Sequence, residues 1–201
     1  MRRQRRRMAA RRYAVVTGGI LGVALVAYLY WLWVRRWRLR SMAISAFTSL
    51  NETGIPYWVD FGTLLGIHRE GDIILGDNDV DVCVLEPSEE DMRRLGEHVN
   101  QRGYDFRYLV WSSISRIYDR WWPFAFVDLY HVRMSVDGTT YHGATGATSD
   151  VPVDLIGRPV KRWWQRGNVN VTVPENVPGV LVWRYGEGWQ TPRPGFKGRN
   201  A

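Results

Sequence analysis

The amino-acid sequence predicts an α/β or α+β domain, built on one mixed sheet flanked by helices, with a transmembrane helix at its N-terminus. Three observations predict it. An uncharged apolar run fills residues 13–34, short β-branched segments recur through the rest of the chain, and helix-like segments separate them. About 160 residues follow the apolar run, which is enough for one domain with one core.

The apolar run of residues 13–34 is long enough to cross a bilayer. As a helix it would span about 33 Å, against a hydrocarbon core of about 30 Å. A cleaved signal peptide fits less well, because the run is too long and no small-x-small site follows it. Gly18 and Gly22 have the GxxxG spacing through which two anchors could form a homodimer, although incidental glycines explain that spacing equally well. Aromatic residues typical of a membrane interface gather at the end of the run: Tyr28, Tyr30, Trp31, Trp33 and Trp37.

The formal net charge of +7 divides between two parts of the chain. Eleven of the 27 basic residues lie in the first 40 residues, which contain no acid. The remainder carries 16 basic and 20 acidic residues, a net charge of −4, which excludes a uniformly basic nucleic-acid-binding domain. More arginines precede the apolar run than follow it, so the positive-inside rule predicts a type II topology. The body is then expected in the Golgi or ER lumen of a eukaryote, or otherwise outside the cytoplasm.

These features predict the organisation of the whole chain. Cys83 is the only cysteine, which excludes intrachain disulfides and a structural zinc site made of several cysteines. The expected segments are an Arg-rich cytoplasmic tail (1–12), a signal anchor (13–34), a juxtamembrane linker (35–44), a folded domain (45–192) and a C-terminal tail (193–201).

The body alternates strand and helix signals. A short amphipathic helix containing Met42, Phe47 and Leu50 is expected to end at Gly54. Ser88 begins a segment that resembles a capping box, which predicts a helix ending near residue 103. A further short helix is expected over residues 177–185 and a turn at 137–138. The expected strands are residues 57–60, 80–85, 106–111, 114–118, 124–132 and 169–173.

Three aspartates at the start of the second strand predict a metal site. Asp79 and Asp81 stand at i and i+2, so both side chains point to one face while Val80 and Val82 point to the core. Carboxylates so close together repel each other unless a cation lies between them, and hard oxygen ligands suit Mg²⁺ or Mn²⁺. The alternative interpretation is that these acids, with Asp77, simply end a loop at the solvent edge.

A third candidate carboxylate and a candidate phosphate site strengthen the metal interpretation. Asp128 lies in an apolar strand, where an acid is costly unless it is paired or bound to metal. Three carboxylates from two strands can hold one or two Mg²⁺ ions and activate a hydroxyl nucleophile. The strand is expected to break at Gly62 and a helix to open at Thr63, so free backbone N–H groups there could bind a phosphate. An ordinary helix start explains the same pattern.

The run WVDFGTLLGIHREGDIILGDNDVDVCV, residues 58–84, resembles the core motif of the LicD and fukutin-related proteins of the nucleotidyltransferase superfamily. That superfamily has a Gly-Gly/Ser-type turn, then a D-h-[DE] pair, then a third carboxylate on a neighbouring strand. Gly62-Thr63, Asp79 with Asp81, and Asp128 match these in order.

The resemblance extends over residues 45–192, because the segment VPENVPGVLVWRYGEGWQTPR near the end also resembles the family. One departure is that Leu75-Gly76 stand where the family usually has Pro-Trp before the first acid. Larger eukaryotic members also carry a stem domain and a cysteine cluster for zinc that this sequence lacks. Acceptor recognition and oligomer contacts are therefore the features least transferable from the family.

The resemblance implies a nucleotidyltransferase-like fold and a metal-dependent phosphotransferase. Donors of the CDP-alditol or CDP-choline type would supply a phosphorylated alditol, choline or sugar to a glycan hydroxyl. Asp79, Asp81 and Asp128 would be catalytic and would hold Mg²⁺ or Mn²⁺, with Asp77 as a further candidate ligand. Asp128 would also help to deprotonate the acceptor.

The donor phosphates would contact Gly62, Thr63 and Arg69, the last of which matches an arginine that follows the GTLLG segment in the family. A surface arginine explains Arg69 equally well. Two other functions stay open. A glycosyltransferase could hold a nucleotide sugar with Asp79 and Asp81, and a non-catalytic member could keep the fold alone. No nucleic-acid polymer is expected as a partner.

Overall fold

The computed structural model describes residues 2–109, 113–143 and 150–192. The predicted tail 193–201 and the last two residues of the predicted strand 106–111 lie outside the described residues. The elements, in chain order, are α1 (Arg2–Thr53), β1 (Tyr57–Val59), α2 (Phe61–Arg69), β2 (Asp79–Leu85), α3 (Glu89–Gln101), β3 (Asp105–Leu109), β4 (Ile114–Asp119), β5 (Trp122–Met134), β6 (Thr140–Gly143), β7 (Val151–Pro152), α4 (Val153–Ile156), β8 (Val160–Trp164), β9 (Val169–Val173) and α5 (Val177–Tyr185).

One mixed sheet organises the body. Its main path is β1-β2-β5-β4-β3, with β6 and β7 added beyond the end of β5, while β8 and β9 form a separate hairpin. Strands β2 and β5 are parallel, and the other described pairs are antiparallel. A mixed sheet with flanking helices confirms the predicted fold class.

The two faces of the sheet have different roles. Val80, Val82 and Val84 of β2 are fully buried, as their alternation with the acids predicts. Helix α1 packs on this valine face, where Phe47 stacks on Tyr57 with ring centroids 6.2 Å apart. Helix α3 packs there too and buries Met92, Leu95 and Val99. It begins with the predicted capping box. The opposite face is left for the acids.

Helix α1 runs without a break from the predicted anchor into the core. Residues 16–30 are exposed, whereas Leu39, Met42 and Ala43 are fully buried. The packed body therefore begins before residue 45, inside the segment predicted as a juxtamembrane linker. The amphipathic helix predicted to end at Gly54 is the C-terminal part of α1. Within the described residues, α1 is also the one helix that is long and apolar enough to cross a membrane, by length and composition.

Helix α2 begins earlier than the sequence predicted. We expected it to open at Thr63, but it starts at Phe61 because the carboxylate of Asp60 caps it and accepts a hydrogen bond from the Phe61 backbone N–H at 2.7 Å. Gly62 and Thr63 therefore lie inside the first turn. Phe61 has a φ of +49°, an unusual value for a residue with a side chain, so the chain turns sharply here.

Candidate active site

Two parallel strands bring the predicted catalytic acids to one face of the sheet. Asp81 of β2 is the register partner of Asp128 of β5, and Asp79 stands two residues before Asp81 on the same face. On the far side of β5, Arg116 of β4 is the register partner of Asp128. The row of polar side chains across the three strands is therefore fixed by the sheet register.

The start of α2 lies directly against these acids. The Asp81 backbone N–H donates a hydrogen bond to Thr63 Oγ1 at 2.7 Å, which fastens the first turn of α2 to β2. A Cβ atom at Gly62 would lie 3.0 Å from Asp77 Oδ2 and 3.8 Å from Asp81 Oδ2. The absence of a side chain at Gly62 thus leaves room for the Asp77 carboxylate beside that of Asp81.

Burial first, and then mutual repulsion, disfavours the charged forms of these acids. Burial raises the pKa of Asp81 well above its usual range, and the nearby Asp79, Asp77 and Asp128 raise it further. Burial and then the charge of Asp79 raise the pKa of Asp77 to about 6. A divalent cation would relieve this repulsion, and carboxylate oxygens are the ligands that Mg²⁺ and Mn²⁺ prefer.

The carboxylate oxygens of these acids are therefore the right type of ligand for such a cation. Within the described ranges, however, no three Asp, Glu, His or Cys side chains stand close enough together to form a ready-made metal site. The carboxylates would have to turn toward a common point to bind one ion.

Asp128 has an arginine as its charge partner. Its two oxygens face the Arg116 guanidinium, with Nε at 2.5 Å from Oδ1 and Nη2 at 3.2 Å from Oδ2. Burial raises the pKa of Asp128, while the Arg116 contacts oppose this effect. The Tyr130 hydroxyl, on the same strand, donates to Asp81 Oδ1 at 3.4 Å. Asp128 thus links the acid pair of β2 to an arginine of β4.

Arg69, a predicted phosphate-binding residue, lies in the last turn of α2. Its guanidinium donates to the Trp189 carbonyl oxygen at 3.2 Å and to Glu70 Oε1 at 2.7 Å. The neighbouring His68 ring lies 5.4 Å from the Trp189 ring. The structure therefore brings Arg69 against the segment that follows α5 and gives its charge a partner on Glu70.

A buried ion pair beneath the acids escaped the sequence-based reasoning. Arg184 Nη2 lies 2.8 Å from Asp60 Oδ2 and its Nε lies 3.2 Å from Asp60 Oδ1, and both side chains have an exposed fraction of 0%. The Arg184 guanidinium also lies 4.1 Å above the Phe61 ring. The available signal was weak: each is a charged residue inside an otherwise apolar segment, and 124 positions separate them.

A family model described as "LicD/FKTN/FKRP, nucleotidyltransferase domain" matches residues 54–176. The match contains the whole of the acid cluster, from Gly62 to Asp128, and all but the ends of the packed body.

Three curated proteins show partial similarity. Ribitol 5-phosphate transferase FKRP of Homo sapiens is 31% identical over 49% of this chain and 23% of its own length. The same enzyme of Mus musculus is 31% identical over 43% of this chain and 20% of its own length. Uncharacterized protein RP689 of Rickettsia prowazekii (strain Madrid E) is 27% identical over 47% of this chain and 41% of its own length. The chain thus spans about a fifth of the FKRP sequences it matches.

Solved structures show a more distant likeness. The antibiotic-resistance factor ANT(2'')-Ia has a TM-score of 0.46 and 13% identity, over 80% of this chain and 77% of its own. The lincosamide antibiotic adenylyltransferase LnuA has a TM-score of 0.43 and 11% identity, over 68% of this chain and 80% of its own.

Proposed function

The chain belongs to the LicD/FKTN/FKRP family through its nucleotidyltransferase domain, and from this membership we propose that it is a metal-dependent phosphotransferase. It moves a phosphorylated alditol, choline or sugar from a nucleotide-diphosphate donor, of the CDP-alditol or CDP-choline type, to a hydroxyl group of a glycan. The partial FKRP matches support a donor of this kind, because those relatives are named as ribitol 5-phosphate transferases.

The observation that carries the proposal is the crowding of acids where β2 meets β5. Asp79 and Asp81 stand on β2 beside Asp128 on β5, and Asp77 reaches the same place past Gly62. Crowding several carboxylates in a poorly solvated site is unfavourable unless a bound cation or another positive group compensates their charge. A divalent cation bound there would neutralise the donor pyrophosphate and stabilise the charge that develops on phosphoryl transfer.

The proposed roles follow from position. Asp79 and Asp81 hold the metal, with Asp77 or Asp128 completing its ligands. Asp128, which Arg116 keeps oriented, accepts the proton of the acceptor hydroxyl. The first turn of α2, with Gly62 and Thr63, binds the donor phosphates through its backbone N–H groups.

The setting of the reaction is part of the proposal. Residues 13–34 anchor the protein in a membrane in the type II orientation, with the body on the Golgi or ER lumenal side in a eukaryote and outside the cytoplasm otherwise. The apolar, exposed part of α1 supports this, since it is long enough to cross a bilayer.

The test is a donor screen with the full chain in detergent. CDP-ribitol, CDP-choline and nucleotide sugars are supplied with Mg²⁺, with Mn²⁺ or with EDTA, and the released nucleotide is identified. We expect nucleoside monophosphate and a phosphodiester product, only with metal. Release of nucleoside diphosphate with a glycosidic product would indicate a glycosyltransferase instead, and absence of metal and donor binding would indicate a non-catalytic member.

The acid residues provide the matched variants. Asp79→Asn and Asp128→Asn should each lower turnover by at least about 100-fold, because each removes a charge at the reacting phosphate. Asp154→Asn changes an exposed aspartate of α4 and should leave turnover unchanged. Full activity in Asp79→Asn would refute the proposed role of the acid pair.

A further inference from the structure

Three large apolar side chains of the body are exposed near the starts of β2 and β5. Leu75 is 50% exposed on the loop before β2, Trp121 is 82% exposed on the loop before β5, and Phe124, the third residue of β5, is 60% exposed. We call these three residues the apolar rim. Exposure of so much apolar surface next to a polar site is typical of a binding surface.

Both loops are attached to α1 immediately after its exposed apolar part. The Arg35 guanidinium donates to the carbonyl oxygen of Gly76, the residue after Leu75. Arg38 Nη1 lies 2.7 Å from Asp119 Oδ2, and Asp119 Oδ1 accepts from the Trp121 backbone N–H at 2.9 Å. Arg35 and Arg38 are about 4.5 Å apart along the helix axis. The rim therefore lies level with the first turn of α1 beyond residue 34.

The direction of the strands places the acids at this same end. Strand β2 starts beside Gly76, near Arg35, and ends at Leu85, whose backbone N–H donates to the Pro56 carbonyl oxygen at 3.0 Å. Leu85 also shares a cavity with Leu50, near the end of α1. Strand β2 thus runs along α1 away from the apolar segment, and its parallel partner β5 does the same. Asp77 and Asp79 stand at the starting end.

The basic residues of α1 in this region already contact polar groups of the body. Besides Arg35 and Arg38, Arg36 Nη2 lies 3.2 Å from Asp72 Oδ2 and Arg40 Nε lies 3.0 Å from Asp72 Oδ1. These contacts attach α1 to the loop that leads into the acid site.

We propose that the apolar rim inserts into the interfacial region of the bilayer that α1 crosses, so that the acid site opens at the membrane surface. Tryptophan and phenylalanine side chains favour this interfacial region, and Trp121 and Phe124 lie level with the aromatic end of the predicted anchor. The inference rests on the membrane anchor of the proposed function. It adds a second contact with the bilayer and names a membrane-attached hydroxyl compound as the class of acceptor within reach.

Nitroxide depth measurements on the full chain test the inference. The sole natural cysteine, Cys83, is buried, so a cysteine introduced at an exposed position takes up the label. Labels are placed singly in Trp121→Cys, Phe124→Cys and Trp163→Cys, with Leu25→Cys as the reference within the anchor. The protein is reconstituted into vesicles of phosphatidylcholine and phosphatidylglycerol. Collision with oxygen is then compared with collision with a water-soluble nickel complex.

Trp163 is the matched control, because it is also an exposed tryptophan, at 57%, but lies by Thr48 and Glu52 at the other end of the core part of α1. We expect labels at 25, 121 and 124 to favour oxygen and the label at 163 to favour the nickel complex. If the labels at 121 and 124 favour the nickel complex as much as the label at 163 does, the inference is overturned, even if the label at 25 lies in lipid. An aqueous label at 25 overturns both the anchor and the inference. Because none of these readings depends on turnover, a lack of phosphotransfer would count against the proposed activity alone.

Discussion

At the scale of single residues, we expect the acid site to lower the stability of the fold that carries it. Asp81 is 8% exposed and stands among Asp77, Asp79 and Asp128, and its pKa is raised by burial and by these neighbours. Natural proteins commonly keep such unfavourable groups where the charge is needed for binding or chemistry. Removing a charge here should therefore strengthen the fold while weakening the site.

Asp77→Asn should raise stability at neutral pH. The pKa of Asp77 is about 6 in the folded protein against 3.8 in the unfolded chain, so the protonated form is favoured by folding. The stability gained from this proton is complete below about pH 4 and is lost as the pH rises through about 6. Relative to the natural protein, we expect Asp77→Asn to add about 1–3 kcal/mol near pH 7 and almost nothing near pH 3.

Urea unfolding of the full chain in detergent, without divalent metal, measures this difference at the two pH values. Asp154→Asn removes an exposed aspartate and should show no such pH-dependent gain. Equal stability of Asp77→Asn and the natural protein near pH 7 would contradict the raised pKa.

The buried pair of Asp60 and Arg184 has the opposite effect when it is broken. Arg184→Met would leave the Asp60 carboxylate buried without its charge partner and should cost about 3–5 kcal/mol of unfolding free energy. The double variant Asp60→Asn with Arg184→Met should recover part of that loss, because no unpaired charge remains. Arg93→Met, at an exposed ion pair of α3, should change stability little. Similar losses for Arg93→Met and Arg184→Met in thermal unfolding would argue against a special role for the buried pair.

At the scale of elements, α2 is pressed against the loop that leads to β2. A Cβ at Gly66 would lie 2.6 Å from the Asp72 backbone oxygen, an atom that cannot move without shifting the loop. Gly66→Ala should therefore cost about 1–3 kcal/mol. It should also weaken metal binding, because the same loop carries Asp77.

Gly96→Ala in α3 is the comparison for this prediction. Its Cβ would meet the Phe106 ring at 2.8 Å, and a partly exposed ring can turn aside. Denaturant unfolding and Mg²⁺ titration of both variants measure the two effects. A loss for Gly96→Ala that equals or exceeds that for Gly66→Ala would show that the Asp72 contact is not the stiffer one.

The elements that the sequence predicted well are those with a strong local pattern. Strand β2 followed from its β-branched alternation, α3 from its capping box, and α5 from its apolar run, and the structure confirms all three. The start of α2 was missed because Asp60, which caps the helix, also continues the pattern of the preceding strand. Strand β8 was missed because its residues are mostly exposed and show no alternation between polar and apolar positions.

The candidate site was partly predictable for a related reason. The common face of Asp79 and Asp81 follows from the period of a strand. The pairing of β2 with β5, which sets Asp128 opposite Asp81, depends on the topology of the sheet and not on local sequence. The contact of Arg116 with Asp128 and that of Arg184 with Asp60 depend on the same topology. They join residues 12 and 124 positions apart, for which the sequence carries no local signal.

At the scale of the whole molecule, the division of charge has a structural counterpart. Four arginines follow the apolar run, and all four contact the body: Arg35 at Gly76, Arg36 and Arg40 at Asp72, and Arg38 at Asp119. Part of the positive charge that we assigned to membrane orientation therefore also attaches the body to α1.

If α1 crosses a bilayer as we propose, its unbroken course fixes the height of the acid site above that bilayer. Because the helix passes into the core without a hinge, the body cannot move toward or away from the membrane independently of the helix. In a thicker membrane the whole molecule must tilt or be drawn downward, and in a thinner one the body must stand away from the surface or the lipid must adapt. The thickness of the host membrane would then set how far from the membrane surface an acceptor hydroxyl must lie to reach the acids.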